Sequence, residues 1–425
     1  MKRLAIHKKV NWKIWIFVTA INIVPFLSTT GLLPQFIHIL GPNVQSTILL
    51  IPLLISIKKW PRIKHTYYIL TAVTTSYIIY KFATSCLELG FVESFTNFRY
   101  NFLGIIPFFM AIVYIHTLSK EQIIEIIRLI ILLTVIEAIL FIGHAVGILN
   151  IYDGFTNVMI ESNVKVTRIY MGYPPMIIIV HAISIILYIT SHRKIFLYIS
   201  SLFLLTAFIS YTRSSLGEIV IVTCLLLLFA IFRALIKITT TLKLLIAGLI
   251  VIICIYIMFP SSFSFWENRL TTTNKELKND QGTYQFRKRL IEDAFYQTSL
   301  KNKELDGFGY RRDSAKGEYS FVQGGDTLIP PVIYCEGLIG IILRVSIVVA
   351  VLAKGFYILL RAKGKDGISI ACIIIAILIA QSINYMQTTV FTKYLNIILP
   401  LIILIRLYNI KNYKMKTTLH KPKYQ

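Results

Sequence analysis

One carboxylate and a few arginines stand where polar stretches run into apolar ones, and these are the positions where the chain can do chemistry. Asp326 lies in "FVQGGDTLIPPVIYCEGLIGIIL", at the lip of a long apolar run. Its ordinary pKa near about 4 leaves a carboxylate ionised at neutral pH, ready to act as a general base. Burial raises that value and neighbouring arginines lower it. The same Asp326 suits a helix N-cap, with Pro330 and Pro331 in the first turn. Arg213 sits in "SYTRSSLGE", between two apolar runs joined with almost no loop. It is either a cation snorkelling to lipid phosphates or an anion clamp at a helix N-terminus, where the dipole also favours negative charge. In "TYQFRKRLIEDAFYQTSLKNKELDGFGYRRDS", the positions Arg287, Leu290, Ile291, Ala294 and Phe295 recur at helical spacing. That predicts an amphipathic helix with Glu292 and Asp293 on its wet face, free to pair with Lys288 or Arg289. Either the helix simply packs on the protein, or Arg287 points inward as a bidentate donor for phosphate oxygens.

The elements that position these residues are membrane spans. Of the 425 residues, 56% are hydrophobic and 15% charged, with mean hydropathy +0.69. A soluble domain carries about 25% charged residues. Twelve stretches have the apolar length a bilayer requires. They run near 14–32, 42–57, 66–84, 98–117, 123–148, 171–190, 195–211, 214–232, 242–260, 328–352, 368–385 and 391–408. Gly41, Pro42 and Pro52 make the second the weakest. The basic, then apolar N-terminus imitates a signal peptide, but it lacks a convincing small-residue cleavage site and reads as an uncleaved first span. The fold class is therefore an all-α integral membrane protein of about twelve transmembrane helices, one polytopic domain over 1–425. One large extracytoplasmic loop, 261–327, contains the amphipathic helix, and 410–425 is a disordered cytoplasmic tail.

Charge sets the orientation. Lys2, Arg3, Lys8 and Lys9, then Lys58, Lys59 and Lys120, then Arg193 and Lys194 fall on alternate connections, which the positive-inside rule assigns to the cytoplasm. Both termini are then cytoplasmic and 261–327 is outside. The net charge of +24 is scattered between spans, which argues against a nucleic-acid-binding face. The five cysteines, Cys86, Cys224, Cys254, Cys335 and Cys372, form no paired motif and read as small hydrophobes. No phosphate-binding glycine loop is present, no His/Asp cluster has metal-ligand spacing, and no metal or other cofactor is expected. Among intramembrane polar groups, Glu137, His181, Glu218, Glu336 and Arg344 are costly in lipid and face the bundle interior. Arg344 with Glu218 or Glu336 makes a structural ion pair, with a proton relay as the alternative reading of these groups, and His181 reads as a hydrogen-bonded core histidine rather than a ligand.

Taken together, the three segments resemble the O-antigen polymerase/ligase superfamily (the Wzy and WaaL type), enzymes of surface-polysaccharide assembly. "SYTRSSLGE" resembles its Ser-Arg-Gly-like segment at an outer span end. "FRKRLIEDAF" followed by "DGFGY" resembles its loop signature, an Arg, an apolar position four on, an Ala seven on, then Gly-x-Gly. "DTLIPPVIYCEGLIG" resembles its His-Asn motif followed after nine residues by Gly-x-x-Gly, with Glu336 before the first glycine. Asp326 and Thr327 stand where the pattern has His and Asn, Ser or Gln. The motif match runs over roughly residues 200–345.

The resemblance implies a glycosyltransferase of the bacterial plasma membrane. Such an enzyme joins glycans carried on undecaprenyl diphosphate, as both donor and acceptor, and needs no nucleotide sugar. It implies catalytic roles for Asp326, Arg213 and Arg287, and substrate contacts from Arg289, Arg311, Glu336, Gly337 and Gly340. A flippase, a chain-length regulator and membrane lipids are the implied partners. The missing histidine favours a Wzy-like repeat-unit polymerase for O-antigen, capsule or exopolysaccharide over a ligase. A lipid-linked glycan flippase is the transporter alternative, although no internal repeat is visible.

Overall fold

The computed structural model describes residues 11–28, 30, 35–151, 156–161, 164–169, 173–258, 260–279, 282–311, 329–383 and 394–419. Helices dominate. The first rod consists of α1 (Trp12–Val18), a π-helical turn (Thr19–Ile23) and α2 (Val24–Leu27). It is followed by α3 (Gln35–Ile55), α4 (Thr66–Leu89), α5 (Phe91–Asn101), α6 (Ile105–Thr117) and α7 (Lys120–Ala145). A hairpin of β1 (Thr156–Glu161) and β2 (Val164–Ile169) pairs antiparallel, with Thr156 opposite Ile169. Then come α8 (Ile177–Ser191), α9 (Lys194–Ile209), α10 (Arg213–Phe232), α11 (Ile238–Met258), α12 (Pro260–Lys278) and α13 (Gly282–Ser299). The chain closes with α14 (Ile329–Arg361), α15 (Lys365–Ile383) and α16 (Ile398–Leu419).

Each of the twelve apolar stretches overlaps one of these helices. Four of them, α7, α10, α14 and α15, are long and apolar enough to cross a membrane by length and composition, and seven more are shorter apolar helices. The chain is thus a membrane-embedded helical protein. Its centre is α15, buried over 78% of its most apolar window and packed between α14, α10, α8 and α16. Helices on the outside leave large apolar side chains exposed, such as Ile79, Leu228 and Phe232. Among lipid tails such a surface carries no penalty.

The structure departs from the sequence reading in four places. The connection expected as one long loop with one helix holds two, because α12 precedes α13. Polar in composition, α12 is anchored through Phe265 and Trp266, which are buried against Phe208, Tyr211 and Val166 of β2. The hairpin itself lies in the connection 149–170, which carries no element in the hydropathy reading. The link between the apolar stretches near 66–84 and 98–117 is helical, as the end of α4 and α5. The C-terminal segment expected as a tail from residue 410 continues α16 to Leu419.

Candidate functional site

The two glycine motifs of the sequence meet at a break in α14. Gly337 has φ 65° and ψ −163°, a conformation essentially restricted to glycine, and it divides the helix in two. A break inside a span frees backbone groups that lipid cannot satisfy. Here a single loop takes them. Phe308 N–H donates to Tyr334 O at 2.8 Å and Gly309 N–H to Cys335 O at 3.0 Å, closing the C-terminal end of the first half. Leu338 N–H donates to Glu304 O at 2.8 Å and Ile339 N–H to Leu305 O at 3.0 Å, closing the N-terminal end of the second half. The backbones approach so closely that side chains do not fit between them. A Cβ on Gly307 would sit 2.5 Å from the Cys335 carbonyl carbon, and one on Gly337 would sit 2.6 Å from Asp306 N. Gly309 meets Ser85 in the same way. The Gly-x-Gly and Gly-x-x-Gly spacings are therefore two sides of one interlock.

Charge is buried at the same place. Glu336 and Arg344 are 0% and 1% exposed. Their side chains pair bidentately, Arg344 Nη2 with Oε1 at 2.7 Å and Nε with Oε2 at 3.0 Å. The loop adds a donor, since Tyr310 Oη–H reaches Glu336 Oε1 at 2.9 Å. Burial, and then the Glu336 carboxylate, push the Tyr310 phenol well above its ordinary pKa, so it remains a donor. Tyr77 on α4 donates to Glu336 O at 2.8 Å, and the Arg344 guanidinium lies 5.6 Å from the Phe102 ring centroid. Gly340 leaves room for this carboxylate, because a Cβ there would meet Glu336 Oε2 at 2.6 Å. The loop is also tied to α4: Tyr310 N–H donates to Ser85 Oγ at 2.9 Å and Lys81 Nζ lies 3.5 Å from Asp306. Burial of such a pair costs several kcal/mol per ion and is tolerable only when every partner is in place, as here.

The candidate site residues divide into two groups. Arg311, Glu336, Gly337 and Gly340 converge on the interlock. Arg311 pairs with Glu88 at 3.2 Å and donates to Phe308 O at 3.2 Å. Glu336, expected at the substrate, is instead enclosed, and the motif glycines serve backbone contact. The pairing of Arg344 goes to Glu336; Glu218 lies within electrostatic reach of Tyr173. His181 is held between Thr223 Oγ1 at 2.9 Å and Ser200 Oγ at 3.2 Å. Glu137 is also buried, on α7.

The second group is not part of the interlock. Arg287 is half-buried on the side of α13 that carries the buried Ala294 and Thr298, and α13 packs on α14. Arg289 is exposed on the other side, near the Lys288–Glu292 pair at 3.8 Å. Arg213 is the first residue of α10 and half-buried. The turn before it places Tyr211 at φ 51°, uncommon for a bulky side chain and a sign of constraint. That constraint comes from α12. Tyr211 Oη lies 2.6 Å from Ser262 Oγ, and Trp266 Nε1–H donates to Phe208 O at 3.1 Å. Asp326 and Thr327 lie outside the described residues.

Sequence reasoning missed Tyr310, Tyr77, Lys81 and Ser85. Tyr310 directly follows the Gly-x-Gly and carried a local signal. The α4 residues lie more than two hundred positions from their partners, with |i−j| of 225 for Ser85 and Tyr310, and no pattern links them. Among the described residues no group of three or more His, Cys, Asp or Glu side chains is placed to hold a metal ion. No family model matches the chain, and no curated protein matches it in sequence.

Proposed function

We propose that the chain is a polysaccharide polymerase, joining undecaprenyl-diphosphate-linked oligosaccharide units at the outer face of a bacterial plasma membrane. The observation that carries the reading is the interlock at Gly337. Two segments selected by resemblance alone, "DGFGY" and "EGLIG", form one backbone-bonded unit. Between them the chain holds the segment with Asp326, and before them the helix with Arg287. That arrangement supports a built site over three unrelated surface features.

The chemistry follows from the leaving group. The acceptor hydroxyl oxygen attacks the anomeric carbon of the donor sugar, and its proton passes to the Asp326 carboxylate. The bond from that carbon to the diphosphate oxygen breaks, and negative charge collects on the departing lipid diphosphate. Arg213 and Arg287 stabilise that charge at the membrane boundary, where a low dielectric strengthens each contact. One direct displacement inverts the anomeric centre. The interlock, with Glu336 and Arg344 at its core, fixes α14, on which α13 packs.

Deletion and complementation test the proposal. Loss of long polysaccharide with persistence of single repeat units is the expected result. Purified protein given lipid-linked repeat units should extend them and release undecaprenyl diphosphate. A deletion strain that still makes full-length polymer, or one that fails to move repeat units across the membrane, would refute it, the second outcome indicating a transporter.

A further inference from the structure

At the opposite end of the bundle three connections converge on a cavity of about 230 Å³. Its walls are Lys13 from the first turn of α1, Ser56, Lys58 and Lys59 after α3, and Thr117 and Gln122 across the α6–α7 junction. No carboxylate lines it. Among the described residues, none of the three ammonium groups is in an ion pair. Gln122 uses its carbonyl to accept from Ser119 N–H in the capping box, which leaves its amide N–H groups to donate. The start of α7 adds the positive end of a helix dipole. The three ammonium groups, the Gln122 amide and the helix dipole thus favour an anion here.

The rim identifies the kind of anion. Trp12 and Trp60 are each 55% exposed, Trp15 is 39% exposed and Ile55 is 80% exposed. Three of the chain's four tryptophans lie within two residues of a lining lysine along the chain. Exposed tryptophans beside lysines mark the boundary between lipid tails and water. A soluble anion would gain only the lysines, whereas a lipid also covers the apolar rim. We propose that this cavity is a specific site for the phosphate headgroup of an anionic phospholipid of the surrounding leaflet. The inference rests on the membrane reading of the chain and on the cytoplasmic placement of these connections. It is independent of any glycan chemistry.

Tryptophan quenching by brominated lipid in nanodiscs tests it with the full-length protein. Brominated phosphatidylglycerol should quench more strongly than brominated phosphatidylcholine at equal mole fraction. Each Lys→Gln change at Lys13, Lys58 or Lys59 should weaken the preference roughly five-fold, and the triple variant should abolish it. Lys58 and Lys59 are exposed, so the double variant Lys58→Gln/Lys59→Gln keeps the test valid if the triple one misfolds. Arg193→Gln/Lys194→Gln, at another basic connection, should leave the preference intact. Inorganic phosphate should not compete, whereas unbrominated phosphatidylglycerol should. An unchanged preference in the lysine variants, equal loss in the Arg193/Lys194 control, or displacement by inorganic phosphate would each overturn the proposal.

Discussion

Replacing Gly337 by alanine separates a structural interlock from an incidental bend. At φ 65° and ψ −163°, a Cβ imposes backbone strain of about 1–3 kcal/mol. The new carbon also strikes the Leu305 carbonyl, which accepts from Ile339 N–H, next to the bond from Leu338 N–H to Glu304 O. Losing those two bonds adds about 1–3 kcal/mol, at about 0.5–1.5 kcal/mol net each. The total, about 2–6 kcal/mol, corresponds to a drop in melting temperature of roughly 4–12 °C at about 2 °C per kcal/mol. Differential scanning fluorimetry in nanodiscs measures it. Gly364→Ala is the control, with nothing within 4 Å of the added carbon and an expected shift within about 1 °C. Hydrogen exchange adds a local readout. The amides of Phe308, Gly309, Leu338 and Ile339 should lose protection together in Gly337→Ala. If the variant melts with the control and those amides stay protected, the loop does not hold the break.

Glu336→Gln leaves the Arg344 charge buried without a counter-charge and should cost about 3–5 kcal/mol, most of it recovered by adding Arg344→Met; a double-mutant cycle of melting temperatures checks both. Tyr310→Phe removes a bond to a buried carboxylate and should cost about 1.5–3 kcal/mol in the same assay, with the overall fold retained. His65 is held below its ordinary value of 6.5 by burial, then by Lys354 and Arg406. The unfolded chain therefore takes up the proton first, so stability should fall as pH drops below 6.5 and level off below the folded value. His65→Gln should reduce that fall, read from melting temperature against pH. In the polymerisation assay, Arg287→Ala should lose on the order of a hundred-fold in rate while Arg289→Ala stays near wild type, which follows from their opposite faces on α13.

The positions of the apolar helices were legible because a bilayer demands apolar length, and that demand is written locally. The helical spacing from Arg287 to Phe295 was also written locally, and an ion pair of Arg344 was legible with its partner left open between Glu218 and Glu336, which the fold decides for Glu336. What stayed hidden depends on distant partners. Alternation in the Val158 and Val166 region is too short to stand out from a loop, and the hairpin gains its support from α12, far along the chain. The helix α12 is itself polar and is held through Phe265 and Trp266, with Ser262 bonded to Tyr211. The glycines were visible as a spacing, but their cause was not. Spacing records that backbones approach, and only the fold shows that Gly307 faces Cys335 while Gly337 faces Leu305.

The interlock also bears on biogenesis. A translocon releases a helix to lipid according to its apolar content, and a charged side chain at the centre costs about 2.5–3.5 kcal/mol there. The segment from Ile329 to Arg361 carries both Glu336 and Arg344 and a conformational break. Its remedy is made beforehand. Glu304 to Tyr310 precede the segment in the chain, so the loop is synthesised before Glu336 leaves the ribosome. The order of synthesis thus delivers the acceptors and the Tyr310 hydroxyl before the groups they neutralise, and this span leaves the translocon toward a prepared partner.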